Sequence, residues 1–253
     1  MIKEYFRPES IEDAIRLLQS KETKTVPLAG GTVLSHYQRD SISVVDLQKL
    51  NLNYLLNNVD SYEIGATTTL SQIEENIQFP ELVEVIRLQA GKNKRNSSTI
   101  GGLLSMADGR SPLLSAFLAL NPKMIWEPGD LSVSLEDWLT KRSDWKDAVL
   151  IKKLVLPKTQ FLFESVARSP KDLPILCIAI SKDHLEKMRI VIGGFGDAPI
   201  LAFSGNDLRG IENKIDKTLA GSADKWASSE YRQKAAKALV MRMVSELSEM
   251  RAK

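Results

Sequence analysis

Two glycine pairs, each beside a threonine, constrain what this chain can fold into more than any other feature of its sequence. The first lies in Ala-Gly-Gly-Thr at residues 29–32, and the second lies in Thr-Ile-Gly-Gly at residues 99–102. Glycine has no Cβ and tolerates positive φ, so the backbone at such a pair can approach another group closely. Successive N–H groups that turn toward one point bind anions, and phosphate is the commonest anion offered.

The two stretches together suit a ligand with two linked phosphates, which indicates a dinucleotide-type cofactor. A single Gly-Gly pair is more often a plain turn. For each stretch taken alone, that interpretation stays open.

The composition is that of an ordinary globular protein. Of 253 residues, 43% are hydrophobic and 26% are charged, and the net charge of +2 gives no case for a nucleic-acid partner. No apolar run approaches the roughly 20 residues that a membrane span needs. The N-terminus lacks an apolar signal core, so a cytoplasmic location is expected.

Few side chains are suited to catalysis on their own. Cys177 is the only cysteine, so four cysteines of this chain cannot hold an iron–sulfur cluster. Its apolar surroundings favour a buried structural thiol over a nucleophile. The two histidines, His36 and His184, have no metal-ligand spacing. His36 either contacts a phosphate or the edge of a cofactor ring or is a partly exposed helical residue, and the helical residue is favoured. A cofactor is therefore expected to carry any chemistry.

The hydrophobic pattern predicts short strands and helices up to about residue 157, and then a strand meander followed by two helices. Strands are predicted at residues 25–28, 43–47, 124–126, 149–156, 161–167, 176–181, 188–192 and 200–202, and a second unit is predicted to start at residues 62–66. Helices are predicted from Ser10 and at residues 70–76, 80–89, 113–120, 136–139, 207–220 and 228–250. Three basic residues, Lys92, Lys94 and Arg95, either steer a polyphosphate or form a solvated turn, and the turn is favoured.

Seven motifs, taken in chain order, resemble the FAD-binding middle subunit of the molybdenum hydroxylases, the xanthine dehydrogenase and carbon monoxide dehydrogenase family. The motifs lie at residues 5–10 with 13–14, 29–32, 45–47, 64–70, 95–102, 163–172 and 231–232. The ordered set covers nearly the whole chain.

The resemblance implies an α+β fold. Residues 1–57 and 58–157 would be two FAD-binding subdomains of the p-cresol methylhydroxylase type, which hold FAD between them. Residues 158–253 would be a smaller C-terminal domain with an antiparallel sheet and helices.

The resemblance also implies a function. FAD would receive electrons from iron–sulfur clusters on a partner subunit, next to a molybdopterin subunit, and pass them to NAD or another acceptor. No metal site and no catalytic side chain is expected on this chain. The implied FAD contacts are Leu28, Ala29, Gly30, Gly31, Thr32, Val33, Thr99, Ile100, Gly101, Gly102 and Leu103.

The sequence departs from the family pattern at several positions that usually contact the flavin. Leu103 replaces an Asn, Val33 and Pro112 each replace an Asp, and Ser165 replaces a Lys; Asp108 is a possible substitute for the Asp lost at Pro112. Weaker FAD binding is therefore expected. Two alternatives stay open: a structural subunit that has lost functional FAD, and a stand-alone flavoprotein.

Overall fold

The structure, a computed structural model, describes residues 2–20, 24–34, 41–141, 149–169 and 172–249. The chain forms two compact units. The first unit consists of residues 1–78, 90–106 and 122–157, and the second consists of residues 79–89, 107–121 and 158–253. The three-part domain division implied by the resemblance stays a prediction.

The strands are β1 (Ile2–Phe6), β2 (Thr25–Leu28), β3 (Ile42–Asp46), β4 (Leu55–Asn57), β5 (Ser61–Gly65), β6 (Lys123–Glu127), β7 (Leu131–Ser134), β8 (Leu150–Pro157), β9 (Gln160–Val166), β10 (Leu176–Lys182), β11 (Met188–Gly193) and β12 (Ile200–Gly205). The helices are α1 (Ile11–Leu18), α2 (Leu70–Asn76), α3 (Pro80–Gln89), α4 (Lys92–Ser97), α5 (Ile100–Met106), α6 (Pro112–Leu120), α7 (Leu135–Thr140), α8 (Ile211–Leu219) and α9 (Ser229–Glu249). A 3₁₀ turn, Gln48–Leu50, follows β3.

The first unit contains two sheets. Strands β1, β3 and β2 form a parallel sheet in that order, and α1 connects β1 to β2. Ser10 caps α1 by accepting the N–H of Asp13 at 3.1 Å, and Ala14 of this helix is buried with Val45 and Leu47. The second sheet is antiparallel, with the order β4-β5-β8-β6-β7.

The second unit is built on the antiparallel sheet β12-β11-β10-β9. Side chains alternate between the two faces of a strand, so Ile178 and Ile180 of β10 pack with α8 and α9 on one face. On the other face, the hydroxyl of Ser181 donates to the carbonyl oxygen of Ala119 in α6 at 2.6 Å. The sheet is thus covered by helices on both sides, which confirms the predicted antiparallel sheet with helices.

Most predicted elements are present, and α2 and α3 have the predicted bounds. Strands β1, β4 and β7 were not predicted, because most of their side chains are exposed and the segments carry little apolar signal. His36 and Arg251, the latter expected on the apolar face of the last helix, lie outside the described residues. Among the residues that the structure describes, no helix combines the length and the apolar character that a membrane span requires.

Cys177 is fully buried in β10, as the sequence predicted. Burial raises the pKa of its thiol to about 12, against a smaller lowering by a hydrogen bond with Ser115. Because the thiolate is the reactive form of cysteine, the thiol stays protonated and unreactive at neutral pH.

Candidate functional site

The first glycine pair forms a turn directly after β2. Gly31 has φ of +67°, a conformation that favours glycine. Gly30 is required for a different reason, since a Cβ at this position would lie 1.7 Å from the carbonyl oxygen of Ser97, at the end of α4. The turn after β2 therefore lies directly against the segment that joins α4 to α5.

The second glycine pair is not a loop. Gly101 and Gly102 belong to the first turn of α5, neither has positive φ, and the expectation of a glycine turn here is wrong. Gly101 permits close packing instead, because its N–H donates to the carbonyl of Ala66 at 2.9 Å and a Cβ would lie 2.9 Å from that oxygen. The extended residue at this place is Thr99, between α4 and α5.

Thr99 is held on both sides by backbone hydrogen bonds. Leu70 N–H donates to Ser98 O at 2.9 Å, and Ile100 N–H donates to Thr68 O at 3.0 Å, which pairs residue 99 with Thr69 as an isolated bridge. Thr69 in turn caps α2 through a capping box with Gln72. The position of Thr99 is therefore set by the N-terminus of α2.

An ion pair joins α4 to α2. Arg95 Nε lies 2.8 Å from Glu74 Oε2, and the two side chains are only 12% and 14% exposed. Arg95 also donates to the carbonyl of Ala90 at 2.6 Å, and Ser71 Oγ lies 2.5 Å from Asn96 Oδ1. For Arg95, the favoured interpretation as part of a solvated turn is wrong, because the residue lies in a helix and its charge is paired.

Replacing Arg95 by alanine should lower the free energy of unfolding by about 2 kcal/mol, because the carboxylate of Glu74 would lose its cation in a largely buried position. Urea denaturation measures the change. The matched control is Arg16→Ala, which removes an ion pair with Asp13 whose side chains are 78% and 47% exposed. That substitution should cost less than about 0.5 kcal/mol. Equal losses in the two variants would contradict the structural role of Arg95.

The turn after β2, Thr99 and α5 surround a pocket of about 290 Å³ in the first unit. Eight of the predicted contacts line it: Ala29, Gly30, Gly31, Thr32, Val33, Thr99, Gly101 and Gly102. Leu28, Ile100 and Leu103 are not among the residues that line this pocket, and Ile100 is fully buried.

The remaining walls come from residues outside the set of predicted FAD contacts. They are Val26, Pro27, Leu34, Leu47, Ala66, Ser105, Met106, Trp126, Val149, Leu150 and Ile151. Most are apolar, and the described lining contains no ionisable side chain. The walls therefore suit an apolar ring system, and a charged group in the pocket must be held by neutral donors.

Neutral hydrogen-bond donors are available where the turn after β2 contacts the segment that joins α4 to α5. Within the described ranges, the backbone N–H groups of Gly30, Gly31, Thr32 and Thr99 have no hydrogen-bond acceptor. Thr99 is only 5% exposed, so its unpaired N–H is costly unless a ligand supplies an acceptor. The small residues and the free donors fit a phosphate-bearing cofactor such as FAD. Among the described residues, no group of His, Cys, Asp or Glu could hold a metal ion.

Residues 1–159 match the family model of the FAD binding domain in molybdopterin dehydrogenase. The chain belongs to this family. The resemblance found in the motifs is thereby confirmed, and so is the prediction of an FAD-binding subunit of a molybdenum-hydroxylase-type oxidoreductase.

Relatives with similar sequences agree with this membership. The glyceraldehyde dehydrogenase medium chain of Sulfolobus acidocaldarius is 26% identical over 275 residues, covering 96% of this chain and 98% of the relative. The uncharacterized protein YgfM of Escherichia coli K12 is 28% identical over 199 residues, covering 77% and 75%.

Solved structures share the fold. Quinoline 2-oxidoreductase from Pseudomonas putida 86 matches with a TM-score of 0.79 and 20% identity, over 96% of this chain and 95% of the other. Carbon monoxide dehydrogenase from Hydrogenophaga pseudoflava matches with a TM-score of 0.76 and 18% identity, over 94% of each chain. These matches confirm the predicted α+β fold of the family.

One departure from the family pattern, the proline at residue 112, has a local structural explanation. Pro112 is the first residue of α6, a position that suits proline because its missing N–H would have no helical partner. Asp108 accepts the N–H of Arg110 at 3.0 Å, and Ser165 pairs with Cys177 across β9 and β10. These residues belong to the second unit. Their effect on FAD affinity stays a prediction.

Proposed function

We propose that this chain holds FAD in the pocket of the first unit and serves as the flavin subunit of a molybdenum hydroxylase. The observation that carries the proposal is the meeting of the Gly30 turn with Thr99. There, four residues whose backbone N–H groups have no acceptor in the described protein line a pocket, and the described lining includes no charged side chain.

The N–H groups of Gly30, Gly31, Thr32 and Thr99 would hold the diphosphate of FAD. A diphosphate needs many donors at short range, and backbone N–H groups provide them without the rotational freedom of side chains. The hydroxyl of Thr99 is already engaged, since it accepts the N–H of Gly102 at 3.3 Å. Leu28, Ile100 and Leu103, which do not line the pocket, would help to position these residues as their neighbours in the chain.

The apolar walls would exclude water from the rings of the cofactor. Bound FAD would supply electron transfer, and the chain's only thiol is buried in the second unit, away from the pocket lining. The work of this chain is therefore to bind, orient and shield the cofactor.

Electrons would come from other chains. A single cysteine cannot hold iron–sulfur clusters, so we place these on a partner subunit, and a molybdopterin cofactor on another. NAD is one candidate acceptor, and the cytoplasm is the expected location. Co-expression of this chain with the iron–sulfur subunit and the molybdopterin subunit should give a complex that contains flavin, iron and molybdenum.

Filling the pocket at Gly102 should block FAD without harming the fold. Gly102 is exposed, and a Cβ there would meet only the Thr99 hydroxyl, at 3.1 Å. The parent protein should show flavin absorbance bands and bind one FAD, whereas Gly102→Val should bind at least about ten-fold more weakly. Fluorescence titration measures the affinity, and thermal unfolding of the apoprotein should show that the variant stays folded.

The alternatives predict different results. A structural subunit would bind no FAD in the parent form yet would still join the complex. A stand-alone flavoprotein would bind FAD and join no complex. If Gly102→Val bound FAD as tightly as the parent does, the cofactor would have to lie elsewhere.

A further inference from the structure

The residues of α5 that line the pocket lie on one face of the helix. They are Gly101, Gly102, Ser105 and Met106. Their spacing of three and four residues places them side by side on the helix surface. Ile100 and Leu104 of the same helix do not line the pocket and are fully buried. The pocket face of α5 therefore begins with two glycines and ends with one long side chain, that of Met106.

Met106 is exposed although its side chain is apolar. Its exposed fraction is 60%, and Val33, another exposed apolar residue of the described lining, has an exposed fraction of 42%. Val33 directly follows the proposed phosphate donor Thr32, and Met106 ends the helix that starts directly after Thr99. Exposed apolar side chains beside a pocket are typical of a surface that a ligand covers.

The direction of side chains on a helix brings the thioether of Met106 to the side of the glycines. Cα–Cβ bonds tilt toward the N-terminus of a helix, so a long side chain covers the turn that precedes its own Cα. For Met106, that turn begins at Gly102, which has no side chain and is exposed. A Cβ at Gly102 would have only the Thr99 hydroxyl within 4 Å. Free space therefore remains between Gly102 and the side chain of Met106.

The length of α5 relates this space to the proposed phosphate donors. Met106 comes seven residues after Thr99, which at the rise of a helix is a distance of about 10 Å. In FAD, a ribose joins the diphosphate to the adenine, and the ribityl chain joins it to the isoalloxazine. A cofactor whose diphosphate is bound at Thr99 can therefore place one of its two ring systems beside Met106.

We propose that the thioether of Met106 packs against an aromatic ring of FAD, either the adenine or the isoalloxazine. This inference rests on the proposed function. A thioether is flexible and polarizable, so it adapts to the surface of a ring and makes favourable sulfur–aromatic contacts. The bound cofactor then shields a side chain that is exposed to solvent in the apoprotein.

Oxidation by hydrogen peroxide tests this contact directly. Peroxide transfers one oxygen atom to the methionine sulfur and is reduced to water, and the rate depends on access to the sulfur. Saturating FAD should slow sulfoxide formation at Met106 by at least about five-fold. Mass spectrometry of peptides measures the oxidation of each methionine, and the reaction is kept in the dark because illuminated flavin itself oxidises methionine.

The matched control within the same sample is Met241. This residue of α9 is 50% exposed, belongs to the second unit and does not line the pocket. FAD should leave its oxidation rate within about two-fold of the rate in the apoprotein. If saturating FAD leaves the oxidation of Met106 unchanged as well, the inference is overturned.

Two fragments of FAD identify the ring. ADP carries the adenine and FMN carries the isoalloxazine, and each fragment has phosphate for the proposed donors. The fragment that slows the oxidation of Met106 at saturation carries the ring that this side chain contacts.

Substitutions give an independent measurement of the contact. Met106→Ala should bind FAD about five- to ten-fold more weakly than the parent, and Met106→Leu should restore most of the affinity because leucine keeps an apolar contact. Met241→Ala should bind FAD within about two-fold of the parent. Fluorescence titration measures the affinities. Thermal unfolding of the apoproteins should show little change at residue 106, since an exposed side chain contributes little to stability.

Equal FAD affinity in the parent and in Met106→Ala also overturns the inference. A parent that binds no FAD defeats the proposed function itself, and this inference with it. A parent that binds FAD and leaves Met106 unprotected defeats only the inference.

Discussion

Gly30→Ala is expected to lower the free energy of unfolding by about 3 kcal/mol and to weaken FAD binding by at least about 100-fold. The added Cβ would lie 1.7 Å from the oxygen and 2.9 Å from the carbon of the Ser97 carbonyl, and 3.3 Å from the nitrogen of Thr99. These are main-chain atoms, so no side chain can rotate to make room. One of the two segments must move, and the proposed diphosphate donors separate.

Substitutions at two other glycines serve as controls, because they show what an added Cβ costs where it does not collide with the main chain. Gly31→Ala meets only the flexible Leu28 side chain at 3.6 Å, but its φ of +67° should cost about 1–2 kcal/mol. Gly91→Ala has nothing within 4 Å, and its φ of −63° suits any residue; it should change stability by less than about 0.5 kcal/mol and retain FAD. Chemical denaturation and FAD titration of the three variants decide. If Gly30→Ala bound FAD as tightly as the parent does, the diphosphate would not be held where the turn after β2 contacts the segment between α4 and α5.

The sequence identified the centre of the candidate site, although partly for the wrong reason. The glycine pairs indicated close backbone approach, and Gly30 and Gly101 do permit it. Both pairs were expected to form loops, and only the first pair does, with a positive φ at Gly31. Gly101 and Gly102 lie inside a helix, because the capped helix α2 and the bridge at Thr99 fix where α5 begins. Propensity alone does not indicate a tertiary constraint of this kind.

The part of the pocket wall that Trp126 forms could not be predicted from local patterns. Trp126 alternates with Met124 on a short strand, which is typical of a residue in the core. Its place at the pocket depends on the pairing of β6 with β8, strands more than twenty residues apart, and on the bulge at Lys152. The ion pair of Arg95 with Glu74 was missed for the same reason, since a run of basic residues carries no sign of a partner on another helix.

In the second unit, the burial of Arg232 could not be predicted from local sequence patterns either. The sequence indicated Arg232 only as part of a family motif, and arginine is rarely buried in folded proteins. Its side chain is in fact fully buried. The acceptors that permit this burial come from residues 175 and 222–227, a combination that only the folded chain brings together.

Arg232→Met is expected to lower the free energy of unfolding by about 3–5 kcal/mol, the usual cost of breaking a buried charge pair from one side. The guanidinium donates to Asp224 Oδ2 at 2.9 Å, to Ile175 O at 2.8 Å and to the carbonyl of Ser222, and it lies 5.1 Å from the ring centroid of Phe195. Methionine fills similar space and serves none of these acceptors. Urea denaturation at neutral pH measures the loss.

The pH dependence of stability gives a second signature of the same pair. Burial alone would raise the pKa of the Asp224 carboxyl, but hydrogen bonds from the Trp226 N–H, from Arg232 and from the Ala227 N–H outweigh it and hold the pKa below its ordinary value. A lowered carboxyl pKa adds stability above the unfolded-state pKa of about 4, and this part is lost as the pH falls through the folded-state pKa. In Arg232→Met, the acid loss should be smaller than in the parent.

Arg209→Ala is the control for the loss of an arginine that pairs with an aspartate. Arg209 is 91% exposed and lies 2.5 Å from Asp207, so its removal should change the free energy of unfolding by less than about 0.5 kcal/mol. Arg232→Lys should fall between the two, because an ammonium retains the charge but cannot reach acceptors on three sides as a planar guanidinium does. A loss below about 1 kcal/mol in Arg232→Met would show that water or other donors replace the guanidinium, and that the burial of this charge does not hold the second unit together.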